Sequence, residues 1–179
     1  MFIKETSIEI NFDNIIKSIQ WEDFKNDEYF NHHHIEQKDL HNKIGFDTIP
    51  DTYCKHNTTI YQKMFTSNEI NFLDFQHHLQ IEPITVSFIK IKPGNIIPLH
   101  NDTFYLIKKN YPERLTEKIV RANIFLEDWK WGHFLQIEDE IKTHWRKNTG
   151  YIWDAKVAHI AANCGMHDRY TLQVSGFLL

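Results

Sequence analysis

From residue 85 onward the chain is a succession of short runs: TVSFIKIK, IIPLHNDTF, KIVRANIFLED, GHFLQIED, TGYIWDA and RYTLQVSGFLL. Each is rich in β-branched and aromatic residues, and turn-forming residues separate them. A series of short strands of this kind suggests a sandwich or a barrel. At 179 residues and 41% hydrophobic content, the chain fits one domain, 1–179, with room for a sizeable core.

The first 85 residues read differently, as a helical and irregular support for the β-rich part, 86–179. SIEINF (7–12) alternates like an early strand, and DNIIKSIQ (13–20) looks like a short helix with Asp13 as its N-cap. Between Trp21 and about Lys63 the pattern is poor, and the run His32-His33-His34 reads as a polar loop. Thr66 and Glu69 form a capping-box pair that predicts a helix over 66–79, with Ile70, Leu73, Phe75 and Leu79 on its apolar side. Pro112 and its charged neighbours mark a longer loop between the second and third strands.

Charge and composition narrow the function classes. A net charge of −4 argues against nucleic acid as a bulk electrostatic partner. No run approaches the roughly 18 apolar residues of a membrane span, and the charged N-terminal stretch does not read as a signal peptide. Cys54 and Cys164 have no metal or redox spacing and read as reduced thiols, so a cytoplasmic location is expected. The oligomeric state stays open.

Strands that face a core ordinarily exclude carboxylates, yet IIPLHNDTF carries His100 and Asp102, which an extended strand directs to one face. Alone, such a pair occurs often by chance at a surface. Two downstream residues change its weight: His159 in KVAHIAANCG, and Arg169, ten positions later, at the start of RYTLQV. Two imidazoles and one carboxylate are the facial ligand set of non-haem Fe(II) oxygenases. Three protein ligands leave three positions, which a bidentate cosubstrate and dioxygen can fill. An inward arginine is costly to bury without an anion, and its planar fork suits the far carboxylate of 2-oxoglutarate.

From about Val86 to Leu179 the chain resembles the 2-oxoglutarate- and Fe(II)-dependent oxygenases, on the HxD of His100 and Asp102, the distal His159 and the following Arg169. VRANIFLEDW, GYIWDAKVAH and AHIAANCGMHDRYTL are similar to the aspartyl/asparaginyl β-hydroxylase-like and small phage and bacterial members. In that subgroup an Arg-x-His pair on the third core strand helps to hold the oxo acid. Here the pair is Arg121-Ala-Asn123, with asparagine in place of histidine. The β-hydroxylases themselves can lack the carboxylate ligand, whereas this chain has Asp102.

The resemblance implies a mainly β fold with N-terminal helices around a double-stranded β-helix, the jelly-roll shared with cupins. It implies Fe(II) held by His100, Asp102 and His159, and 2-oxoglutarate held by Arg169, with Arg121 and Asn123 as further contacts. O2 would be the oxidant and ascorbate a supporting reductant. The reaction would hydroxylate an amino acid, a protein residue or a small metabolite and release succinate and CO2.

Two rivals stand beside that reading. A cupin-type metalloenzyme would not need Arg169 and would generally offer more histidines. A jelly-roll binding module would carry the same residues as a vestigial site. Elsewhere the plainer interpretation holds. His133 reads as a packing or rim residue, Trp129, Trp131, Trp145 and Trp153 as core or rim aromatics, and Gly165 as a turn residue with positive φ.

Overall fold

A computed structural model describes the backbone of residues 1–25, 35–46 and 58–179. The run His32–His34 and Cys54 lie outside the described residues. The described strands are β1 (Ile3–Ser7), β2 (Glu22–Lys25), β3 (Thr59–Phe65), β4 (Ile81–Ile91), β5 (Ile96–Asn101), β6 (Ile119–Phe125), β7 (His133–Ile137), β8 (Glu140–Lys142), β9 (Thr149–Asp154), β10 (Ala158–Asn163) and β11 (Arg169–Leu178). They form a seven-stranded sheet of order β1-β9-β6-β11-β4-β3-β2 and a four-stranded sheet of order β5-β10-β7-β8. Every described pairing is antiparallel. From β4 onward the chain passes back and forth between the sheets, which is the winding of a double-stranded β-helix.

The large sheet is covered on both faces, and the period of two in its strands sorts the residues. Val86 and Phe88 of β4, Val120, Ala122 and Ile124 of β6, and Leu172 and Val174 of β11 face one core. That core is closed by Phe12 and by Phe75 and Leu79 of a helix, Phe72–Leu79. The Phe88 ring meets Phe12 and Phe65 edge-on, at 5.2 and 4.9 Å between centroids. The alternate residues Ile89, Ile91 and Phe125 face the small sheet, where Leu135, Ile137 and Ala161 meet them. Each fully buried Val, Leu, Ile or Phe among them contributes about 1.5–3 kcal/mol.

Several elements differ from the sequence expectation. The first strand is Ile3–Ser7, and residues 8–12 form the connection that delivers Ile8 and Phe12 to the core. The short helix α1 (Asp13–Ser18) starts at Asp13 without a side-chain cap; the Asp13 amide is held instead by the Asn11 side chain. A nine-residue helix, α2 (Ile35–Lys43), lies in the stretch of poor pattern. The Thr66–Glu69 box forms, with the Thr66 amide and hydroxyl both donating to Glu69 Oε2, but it closes a turn. The helix itself, α3, begins at Phe72 after Asn71, whose Oδ1 accepts from the Leu73 amide, and Leu73 points to solvent. The expected loop around Pro112 holds a helix, α4 (Tyr105–Asn110), and a 3-10 turn (Pro112–Arg114). The N-terminal half is also more than a helical support, since β1, β2 and β3 extend the large sheet.

Gly165 is required by close approach rather than by a positive φ. A Cβ there would lie 2.1 Å from the Trp131 carbonyl oxygen. The positive φ of +89° belongs to its neighbour Gly132, where a Cβ would lie 2.2 Å from the Gly165 nitrogen. The two backbones touch, and only glycine permits it.

Candidate metal centre

β5 and β10 are neighbours in the small sheet, and their register sets His159 opposite His100. Asp102 follows just beyond the end of β5. The chain then turns sharply at Phe104, which has a φ of 50°, into α4. One ligand-type atom from each of His100, Asp102 and His159 lies within 4.8 Å of the others, and all three side chains are buried. Among the described residues this is the one such His/Cys/Asp/Glu group.

The imidazoles are set up as ligands by what their other nitrogens do. His100 Nδ1 is 2.7 Å from the Pro98 carbonyl and His159 Nδ1 is 3.1 Å from the Val157 carbonyl. A carbonyl only accepts, so each Nδ1 carries the proton and each Nε2 keeps its lone pair. Burial pushes both rings away from the charged form, His100 down to about 3 with the neighbouring His159 adding to the effect. Burial acts against the Asp102 carboxylate as well, but the Arg121 guanidinium, then His159 and His100, outweigh it and hold Asp102 below its ordinary value. Two neutral nitrogen donors and one ionised carboxylate, gathered at one buried point, suit a divalent cation.

Arg169 opens β11 and is 1% exposed. Its guanidinium carbon lies 5.4 and 5.9 Å from the ring centroids of Trp145 and Phe125. Its Nε and Nη2 have no hydrogen-bond partner among the described residues. Burial pulls the group down to about 10, offset in part by Glu127. Asn123 is also inward and buried, with Oδ1 unpartnered. Its register neighbours are Gln173 and Tyr151, so it lies on the face between Arg169 and the triad.

Arg121, expected beside the oxo acid, reaches the triad itself. Its Nη1 is 2.5 Å from Asp102 Oδ1, so it is engaged with the carboxylate of the triad. Two residues near the site were not legible as such in the sequence. Trp153, the most voluminous fully buried side chain, donates from Nε1 to Asp102 Oδ2 at 2.8 Å. His133 is buried on the inner face, where Nε2 donates to the His167 carbonyl at 2.9 Å and Nδ1 lies 3.8 Å from Glu127. Trp131, by contrast, is 83% exposed, outside any core. An inward position on an alternating strand was the available signal for Trp153 and His133; Asp102 and the His167 carbonyl, which they reach, lie in connections outside the strands and remote in sequence.

No protein-family model matches the chain, and no curated protein does. Solved structures do. A prolyl-4-hydroxylase from Pseudomonas putida is similar with a TM-score of 0.48 and 11% identity, covering 92% of this chain and 96% of that one. An oxidoreductase of the 2OG-Fe(II) oxygenase family from Burkholderia pseudomallei has a TM-score of 0.45 and 10% identity, covering 66% of each chain. A predicted oxalate decarboxylase from Thermotoga maritima has a TM-score of 0.43 and 14% identity, covering 67% of this chain and 82% of that one. The two antiparallel sheets of this chain, wound alternately from β4 to β11, make its fold a double-stranded β-helix of the cupin or jelly-roll kind.

Proposed function

We propose that this chain is an Fe(II)- and 2-oxoglutarate-dependent oxygenase that hydroxylates an amino acid, a protein residue or a small metabolite, releasing succinate and CO2. The observation that carries the reading is Arg169, a buried guanidinium with Nε and Nη2 unpartnered. Those two nitrogens form one edge of the guanidinium, the edge that meets a carboxylate with two parallel bonds. An uncompensated buried cation costs several kcal/mol, and a ligand carboxylate offsets that cost. A cupin-type enzyme or a binding module whose ligand carries no carboxylate leaves this fork without a partner.

His100 and His159 offer Nε2 lone pairs without having to lose a proton, and Asp102 supplies the negative charge. Bound iron supplies the oxidative chemistry, with O2 and the 2-oxo acid as its co-reactants. Arg169 orients the dicarboxylate from its far end, and Asn123 offers an amide along the way. Phe125, Leu135, Trp145 and Ala161 pack around that interior and keep water out of it.

The test is a substrate screen of the purified protein with Fe(II), ascorbate and a 2-oxo acid, monitored as CO2 release and, for 2-oxoglutarate, as succinate. Iron-dependent succinate formation is expected, with 2-oxobutyrate, which lacks the distal carboxylate, a poor replacement. Absence of succinate across the screen, or equal use of 2-oxobutyrate, would remove the reading.

A further inference from the structure

We infer that Arg121 and Trp153 are positioning residues that hold Asp102 in its metal-binding orientation, and that Arg121 serves this carboxylate rather than the oxo acid. The inference rests on the metal-centre part of the function proposed above. Arg121 on β6 and Trp153 on β9 are register partners in the large sheet, and Ser175 on β11 is the partner of Arg121 on its other side. These strands carry the two side chains on the inner face, toward the end of the small sheet where Asp102 leaves β5.

The hold is made at two points. Arg121 Nη1 reaches Asp102 Oδ1 at 2.5 Å, and Trp153 Nε1 reaches Oδ2 at 2.8 Å. A carboxylate bonded at both oxygens cannot turn about its Cβ–Cγ bond, yet each oxygen keeps a further lone pair. Arg121 is itself fixed, since Nε donates to Ser175 Oγ at 3.1 Å and its guanidinium carbon lies 5.7 Å from the Phe104 ring centroid. Trp153 also packs on His159, with ring centroids 4.7 Å apart, so it touches two members of the triad. The large sheet thus grips the ligands that the small sheet presents, and Arg121 commits Nη1 and Nε to Asp102 and Ser175.

The experiment titrates metal-free protein with Co(II) and follows ligand-field absorption, with neither oxo acid nor substrate present. Wild type, Trp153→Phe and Arg121→Lys are compared, and thermal melts identify folded variants. The phenylalanine keeps a ring but loses the N–H, and the lysine keeps a charge but cannot bridge Asp102 and Ser175. The expected result is a loss of Co(II) affinity of about 10–100-fold in each folded variant with a changed band shape. The KM for 2-oxoglutarate at saturating metal should stay within about twofold of wild type in both.

Wild-type affinity and spectrum in both variants would overturn the inference. So would an Arg121→Lys protein that binds metal normally but has a raised KM for 2-oxoglutarate. If Arg121→Lys does not fold, Trp153→Phe alone decides. A wild type that binds no Co(II) overturns this inference and the proposed function together. Co(II) binding that depends on both residues, in a protein that consumes no 2-oxoglutarate, supports the inference and removes only the oxygenase reading.

Discussion

His100 and His159 face one another across neighbouring strands with ring centroids 4.1 Å apart, and each points Nδ1 at the carbonyl two residues earlier in its own chain. The proton is therefore held on the far side of both rings, and the two Nε2 atoms are presented together. His100→Ala and His159→Ala should each abolish Fe(II) and Co(II) binding while leaving the β-sheet circular dichroism unchanged. Metal affinity retained in either variant would exclude that residue from the site.

The same burial makes the metal-free protein sensitive to acid. His100 is pushed down from 6.5 to about 3 in the folded chain, chiefly by burial. Between those values the unfolded chain binds a proton that the folded chain refuses, so stability declines as pH falls from 6.5 toward 3. Going from pH 6.5 to 5, this one group removes roughly 2 kcal/mol. Thermal melts between pH 7 and 5 should therefore show a shallower decline in His100→Gln than in wild type, and coincident slopes would contradict a neutral buried His100.

Arg169 should trade stability for binding. Arg169→Ala should weaken 2-oxoglutarate use by the loss of a desolvated bidentate pair, about 2–5 kcal/mol. At about 1.4 kcal/mol per tenfold change, that is tens- to thousands-fold in the apparent requirement, with Co(II) affinity nearly unchanged. Arg169→Lys should recover only part, because an ammonium cannot form two parallel bonds. Arg169→Met should melt above wild type when no oxo acid is present, since a hydrophobic replacement of a buried charge is often stabilising by about 1–4 kcal/mol. A lower melting temperature for Arg169→Met would mean that the guanidinium is already compensated within the fold.

Two substitutions test the scaffold rather than the site. Phe88→Ala removes a ring wedged against Phe12 and Phe65 and should cost about 3–5 kcal/mol by chemical denaturation. Gly165→Ala forces a methyl group to within 2.1 Å of the Trp131 carbonyl oxygen, so the 131–133 and 164–166 turns must separate and the melting temperature should fall. An unchanged melt in Gly165→Ala would show that this contact yields freely.

What was readable in the sequence was periodicity and chemistry along the chain. Runs with a period of two, such as TVSFIKIK and RYTLQVSGFLL, became β4 and β11, because alternation is a local consequence of strand geometry. His100, Asp102, His159 and Arg169 stood out because buried polar residues in such runs need partners. The capping pair at Thr66 and Glu69 was also legible, but whether it started a helix or a turn depended on packing further along, where Phe75 and Leu79 find the outer face of the large sheet. Tertiary structure alone decided the partners of Asp102. Arg121 is 19 residues and Trp153 51 residues beyond it, and they meet it only because β6 and β9 lie side by side in the sheet facing β5. A hydrogen bond depends on distances of a few tenths of an ångström between strands remote in sequence, and periodicity along one strand carries no information about them.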